Sequence, residues 1–127
     1  DKTRKKKGRY KMAVAVGNCV KCKFNEIKGM TMVAPTTIAD GVKFSVPADA
    51  KLEDIVIIAQ NTGAAAQTVV VKAPTDGNYA ATDTDLSLSV DAGGIAIARV
   101  ESASFFNKDN TIVVTSNATT TKVALTY

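Results

Sequence analysis

The chain has no histidine and no tryptophan among its 127 residues, and only three tyrosines and four phenylalanines. Without histidine, the Ser-His-Asp and Cys-His nucleophile arrangements are excluded. So are His-ligated zinc and the side chain most often used for proton transfer near neutral pH. Carboxylate-only acid–base chemistry is the route left open, but Asp40, Asp76 and Asp109 sit in turn-forming stretches, and no catalytic residue is expected. The few aromatics weigh against a sugar-binding platform, for which only Tyr10, Tyr79, Tyr127 and the four Phe are available. Long apolar runs are missing too. The longest aliphatic stretch, Ile55-Val56-Ile57-Ile58-Ala59, is one buried strand long, far short of the ~18 residues that cross a membrane. No secretory leader is expected, because the apolar stretch at 13–20 behind the basic opening is too short and too broken. Opening at Asp1 and not at Met, the chain reads as processed, truncated or fused to foreign sequence, with Met12 and Met30 as internal candidate starts.

What is present is unevenly spread. Of the 16 basic and 12 acidic residues, seven basic and one acidic fall within the first eleven positions, which therefore carry a net charge of +6. Nine basic and eleven acidic residues remain for the other 116 positions, a net charge of −2. A mildly acidic body carries a short basic arm: Lys2, Arg4, Lys5, Lys6, Lys7, Arg9 and Lys11. Such arms extend and grip acidic partners. Three roles fit: contact with nucleic acid, where neutralised phosphates release counterions and binding falls steeply with salt; contact with an acidic protein surface; or solubilisation as a solvated tail. Tyr10 is the arm's one aromatic, so the stacking platform of a single-strand binder is missing, and any nucleic-acid contact would be non-specific.

The body reads as β. Apolar residues make up 46% of the chain, with Val, Ile, Thr and Ala prominent, a composition that suits pleated, half-buried surfaces. From residue 35 onward the apolar period is two, not 3.6. Val42, Phe44 and Val46 alternate with Lys43 and Ser45, and Leu86, Leu88 and Val90 alternate with Ser87 and Ser89. Turn formers separate the runs at Asp40-Gly41, Asn61-Thr62-Gly63, Asp76-Gly77, Ala92-Gly93-Gly94, Lys108-Asp109-Asn110 and Ser116-Asn117. Seven strands result, the spacing of an all-β sandwich. The expected fold is a single antiparallel β-sandwich, jelly-roll or immunoglobulin-like, over residues 35–127, preceded by a 1–34 arm and connecting segment, the basic arm itself extended. Its core is expected from Val42, Phe44, Val46, Ile55, Ile57, Val69, Val71, Leu86, Leu88, Val90, Ile97, Ile112, Val114, Val123 and Leu125. Ile55 to Ile58, apolar at every position, suits a central strand covered on both faces. The runs Val69-Val70-Val71 and Ile112-Val113-Val114 need covering neighbours, since exposed they would aggregate.

Few motifs carry chemistry. Cys19 and Cys22 form a CxxC. Free thiols or a local disulfide are the simplest reading. Half of a zinc site completed by a second subunit is another, because four ligands are needed and this chain supplies two. A redox pair is a third, although no βαβ unit surrounds it. Lys21, Lys23 and Lys28 would lower the thiol pKa by charge. Asp83-Thr84-Asp85 and Asp76-Gly77-Asn78 resemble pieces of a calcium loop but lack its twelve-residue pattern, and turn capping accounts for them better. Asn117-Ala118-Thr119 fits the N-glycosylation pattern, which matters only in a eukaryotic secretory pathway. No cofactor is implied.

In order along the chain come a DGVKFSVPA strand at 40–48, DIVIIAQNTGAAAQTVVVKAP at 54–74 as two strands about a small-residue turn, DLSLSVDAGGIAIARVESASF at 85–105 as a second pair, and NTIVVTSNATTTKVALTY at 110–127 as a closing hairpin. This succession, about three quarters of the chain, resembles the small all-β decoration (auxiliary head) proteins of tailed bacteriophages. The resemblance implies a non-enzymatic structural protein of the virion that coats or cements a capsid surface. Its partners would be the major capsid protein or another virion protein, and it would be a homo-oligomer or lattice-bound. It transfers no binding residues, and the arm and CxxC segment depart from the pattern. The alternatives are an adhesin-like or carbohydrate-binding sandwich of a secreted or surface protein, and non-specific nucleic-acid binding through the arm.

Overall fold

The structure is a computed structural model that describes residues 14–23, 25–50, 54–77, 79 and 81–127. It is mostly β, in two sheets. The strands are β1 (Ala15–Val16), β2 (Cys19–Val20), β3 (Val42–Ser45), β4 (Asp54–Asn61), β5 (Gln67–Val71), β6 (Leu86–Val90), β7 (Ile95–Glu101), β8 (Thr111–Ser116) and β9 (Thr121–Thr126). A single 3-10 turn at Ala48–Ala50 and one short helix, α1 (Ser102–Phe105), are the helical elements among the described residues. The first sheet runs β1-β3-β8-β5-β6 and the second β2-β9-β4-β7.

Strands β3 to β9 pair only antiparallel, as the alternation predicts. The sheets are nevertheless mixed. The segment before residue 35 adds a short parallel strand to each of them, β1 beside β3 and β2 beside β9. The chain crosses from one sheet to the other at Gly17, directly over Phe44. A Cβ at Gly17 would overlap the Phe44 ring, so only glycine lets the strap pass this close. The strap then stays fastened along β9. Leu125 N–H donates to the Asn18 carbonyl (3.1 Å), Tyr127 N–H to the Val20 carbonyl (3.2 Å), and Val33 and Val123 exchange two 2.9 Å bonds. Two-residue strands carry no period of their own, which is why the sequence shows them only as a connecting segment.

Consecutive strands mostly change sheet. The expected closing hairpin is a crossover, with β8 in the first sheet and β9 in the second, and the same holds for β4 with β5 and for β6 with β7. Turn formers mark where a strand ends, but a four- or five-residue connection can return beside it or step across the ~10 Å between packed sheets. The corner between β6 and β7 is held by Asn61, a fully buried polar side chain. Its Nδ2 donates to the carbonyls of Ala65 (2.7 Å) and Val90 (3.1 Å), and its Oδ1 accepts from the Gly63 N–H (2.9 Å). Its own backbone N–H donates to the Gly94 carbonyl (3.0 Å). One amide thus joins the end of β4, the loop after it, the end of β6 and the entry to β7.

The inner faces of both sheets share one core containing Val42, Phe44, Val46, Ile55, Ile57, Val69, Val71, Val90, Ile112, Val114, Val123 and Leu125, as expected. Leu86 and Leu88 pack against it while only partly buried, being on the edge strand β6. Strands β5 and β8 lie inside the first sheet, so Val69–Val71 and Ile112–Val114 are covered by their neighbours.

Ile97 corrects the expected core. It is 64% exposed, and the inner face of β7 is Ala96, Ala98 and Val100. Period two puts Arg99 on the same face as Ile97, so burying the isoleucine would bury the guanidinium as well, at a cost of several kcal/mol. The small Ala96 and Ala98 instead fit opposite Ala59 and Ile57 on the neighbouring strand.

Two substitutions test this assignment in urea unfolding. Ile57→Ala, at a fully buried site, is expected to cost about 2–5 kcal/mol. Ala98→Leu is expected to overpack the inner face and cost about 1–3 kcal/mol. An unchanged midpoint for Ala98→Leu would mean that β7 faces the other way.

Candidate interaction surface

Two surfaces carry the residues that the sequence singles out, and the structure adds a third. Lys2, Arg4, Lys5, Lys6, Lys7, Arg9 and Lys11 all lie outside the described residues. Val14, three positions after the last basic residue of the arm, lies on the rim of a cleft that also holds Asp40, Lys43, Asp76, Asn107 and Asp109. The carboxylates of Asp109 and Asp40 also serve turns, whereas Asp76 contributes its main chain. Asp109 Oδ1 accepts from the Thr111 hydroxyl (2.6 Å), which, with Lys43 in support, holds its pKa below the usual carboxylate range. Asp40 accepts from the Thr37 hydroxyl (2.9 Å), and the Asp76 N–H donates to Asn107 Oδ1 (3.0 Å). Of the calcium-like fragments, Asp83-Thr84-Asp85 is held through a cap made by Asp85. Asp85 accepts from the Ala73 N–H (2.7 Å) and from Lys72 (2.9 Å), and its pKa is lowered by both.

The second surface is the CxxC end of the strap. Cys19 and Cys22 are both free thiols. They lie in different surroundings because β2 ends between them. Cys19 stands opposite Leu125, packed against the core, with its Sγ 3.5 Å from the Ser45 carbonyl oxygen. Cys22 is exposed, its Sγ 3.4 Å from the Glu26 carbonyl oxygen. Burial pushes the Cys19 thiol pKa up, against the lowering that the nearby lysines suggest. One of those lysines is engaged elsewhere. Lys21 Nζ lies 2.8 Å from Asp49 and 5.9 Å from the centroid of the Tyr127 ring, and the Tyr127 hydroxyl donates to Asp49 at 3.3 Å. The hydrogen bond from Lys21 leads in holding the Asp49 pKa below its ordinary value. Burial, followed by the Asp49 charge, pushes the Tyr127 phenol up. This clasp joins the strap, the 3-10 turn and the end of β9. Among the described residues no three Cys, Asp or Glu side chains cluster in a way that could hold a metal.

The third surface was not legible as such. The outer face of the second sheet carries Val56 and Ile58 on β4, half-buried, beside Ile95 and Ile97 on β7, which are 62% and 64% exposed. Ile58 stands directly opposite Ile97, and Val56 opposite Arg99. The outer face of the first sheet is more mixed, with Lys43, Ser45, Thr68, Ser87, Ser89 and Thr115 beside Val16, Val70 and Val113. Ile55 to Ile58 is a central strand, but only its Ile55 and Ile57 face is buried in the core, where cover on both faces was expected. Its other face opens onto this aliphatic band. The signal for the band was Arg99, whose position two residues after Ile97 places both on the solvent side. Of the aromatics weighed for sugar binding, Tyr79 is fully exposed, Tyr127 belongs to the clasp, and Tyr10 lies outside the described residues.

The chain matches no protein-family model, and comparison with curated proteins and with solved structures finds no match.

Two measurements check this geometry. In alkylation of the native chain, Cys22 is expected to react well before Cys19, and equal rates would contradict the burial of Cys19. The carboxylates whose folded pKa is depressed contribute stability above their unfolded value near 4, and this is lost as pH falls through the folded value. Thermal stability should therefore decline below about pH 4, and Asp49→Asn should remove part of that decline. A variant whose pH profile parallels the wild type would show that the clasp adds nothing.

Proposed function

We propose that this chain is a non-enzymatic structural protein that decorates or stabilises a viral capsid surface, working by surface contact. The observation that carries this reading is the aliphatic band on the second sheet. Val56, Ile58, Ile95 and Ile97 form an outward apolar strip on a face of otherwise ordinary polarity, the kind of patch that marks a protein contact. The basic arm supplies the second contact. Its +6 charge suits an acidic groove of the shell and would speed encounter by electrostatic steering. The partner in this reading is the major capsid protein or another virion protein, and the place of action is the virion surface.

The sandwich type belongs to the same proposal. Counting β3 to β9 as first to seventh, the second strand pairs with the fifth and the third with the sixth, as in an immunoglobulin-like sandwich. The first, fourth and seventh strands lie in the other sheet relative to that pattern. This favours the immunoglobulin-like form over the jelly roll.

The test is gradient purification of particles from the native source, followed by mass spectrometry and rebinding. Recovery of the chain in a capsid-sized particle is expected. Rebinding should weaken when residues 1–11 are deleted, and again when Ile95 and Ile97 are both changed to Lys. A chain found only free in solution would overturn the reading. Retention on nucleic acid alone, lost steeply as salt rises, would transfer the function to the arm.

A further inference from the structure

The strap lies along β9 as a parallel ladder that runs past the end of β2 and reaches Cys22. Leu125 N–H donates to the Asn18 carbonyl (3.1 Å), Tyr127 N–H to the Val20 carbonyl (3.2 Å), and Cys22 N–H to the Tyr127 carbonyl (3.0 Å). The strap residues that bond to β9 are therefore Asn18, Val20 and Cys22, every second one, as extended backbone requires. Cys19 and Cys22, three positions apart, then point to opposite faces of the sheet. Their surroundings agree with this. Cys19 stands opposite Leu125 on the core side and reaches toward the Ser45 carbonyl oxygen of the first sheet at 3.5 Å. Cys22 is exposed, with its Sγ 3.4 Å from the Glu26 carbonyl oxygen.

That arrangement is incompatible with a disulfide. Three residues of extended chain span roughly 10 Å between α-carbons, at about 3.3 Å per residue. A disulfide needs about 7 Å or less and side chains that converge. The two sulfurs meet only if residues 19–22 leave the ladder and turn. Such an opening has defined limits. Upstream, Gly17 N–H donates to the Lys43 carbonyl (2.9 Å), and downstream Val33 and Val123 hold each other, so neither anchor has to break. The contacts between these anchors include a two-residue edge strand, a bond from the Thr126 hydroxyl to the Val20 carbonyl (2.7 Å), and the exposed Lys21–Asp49 pair (2.8 Å). A short edge element with exposed hydrogen bonds opens at lower cost than the sheets behind it.

We infer that the CxxC is a thiol-sensitive latch: the strap closes on β9 with both cysteines reduced, and a disulfide between Cys19 and Cys22 releases β2. The oxidant is a low-molecular-weight disulfide, and the order of events follows from exposure. The Cys22 thiolate attacks one sulfur of that molecule, its sulfur–sulfur bond breaks, and one small thiol leaves. This first step leaves the strap in place. When β2 next lifts, Cys19 attacks Cys22 Sγ and displaces the second small thiol. Two protein thiols are oxidised, the small disulfide is reduced to two thiols, and these take up the two protons that the cysteines give up. The new bond holds the strap off β9 until a reductant restores the thiols. Meanwhile the N–H groups of Leu125 and Tyr127 are without their strap acceptors. The latch stands on the strap alone and does not depend on the capsid reading.

The experiment treats the full-length chain with excess oxidised glutathione, then reads its mass and its backbone hydrogen exchange by NMR. The expected product has lost two hydrogens and carries one bond between Cys19 and Cys22. In it the Leu125 and Tyr127 amides are expected to exchange at least about tenfold faster than in the reduced chain. The Val123 amide, which donates to Val33, and the amides of β4 should keep their protection. Dithiothreitol should restore the reduced pattern. Cys22→Ser, at an exposed site, should stay protected under the same treatment. A disulfide that forms and leaves Leu125 and Tyr127 protected would overturn the inference. So would a chain that stops at the Cys22 mixed disulfide, a loss of protection throughout both sheets, or a loss at Leu125 and Tyr127 in the treated Cys22→Ser chain.

Discussion

The buried amide of Asn61 fixes more of this molecule than its size suggests. A primary amide shut away from water must find partners for its polar atoms, and here three backbone groups supply them. Two of these partners lie in the loop that leaves β4, and the third ends β6 in the other sheet. The same residue's backbone sets the first rung between β4 and β7. A one-residue slip there would turn β7 over, bringing Ile97 and Arg99 inward and Ala98 and Val100 outward. The aliphatic band and the orientation of the edge strand β7 are both downstream of this hydrogen-bonded corner.

The N-terminal strap does for the other flank what Asn61 does for this one. It passes over Phe44 at Gly17, lends one short strand to each sheet, and is pinned at its far end by Lys21, Asp49 and Tyr127. The two flanks are therefore unequal. One is closed by the chain's own segment, with its thiols and charges folded into the closure. The other offers a full-length strand and an apolar face. That asymmetry gives the molecule a direction, with the long edge strand and the exposed Ile95 and Ile97 on the side away from the strap.

Much of this was readable from the residues, and what was not has specific causes. Alternation located the strands at Val42–Ser45, Gln67–Val71, Leu86–Val90 and Thr111–Ser116 and most of the core, because one face of each is apolar and the other polar. It failed at β7, where both faces are apolar until Arg99 is counted, and bulk is a poorer guide than the position of a single charge. It could not tell which sheet each strand joins, since Ser116-Asn117 or Ala92-Gly93-Gly94 sets a turn whichever way the chain returns. The strap was invisible to any periodic reading, its strands being two residues long. For the candidate surface the sequence pointed to the arm and to Cys19 and Cys22. The arm lies outside the described residues, and the cysteines turn out to sit within a structural closure. The aliphatic band emerges only when β4 and β7 are set side by side.

The pairing of β2 with β9 also has a consequence in time. Cys19 and Val20 wait for Leu125 and Thr126, more than a hundred positions further along the chain. β3 meets its antiparallel partner only at β8. A topology dominated by such distant pairings folds slowly, because loop closure must be paid for before any contact rewards it. During synthesis the first sheet has neither β8 at its centre nor the second its β9 until the final segment emerges. Through that interval the valine-rich strand β5 has only β6 beside it, and the isoleucines of β4 have only β7. The completed fold buries Ile55, Ile57, Val69 and Val71 entirely, and until it closes they are covered on one side only.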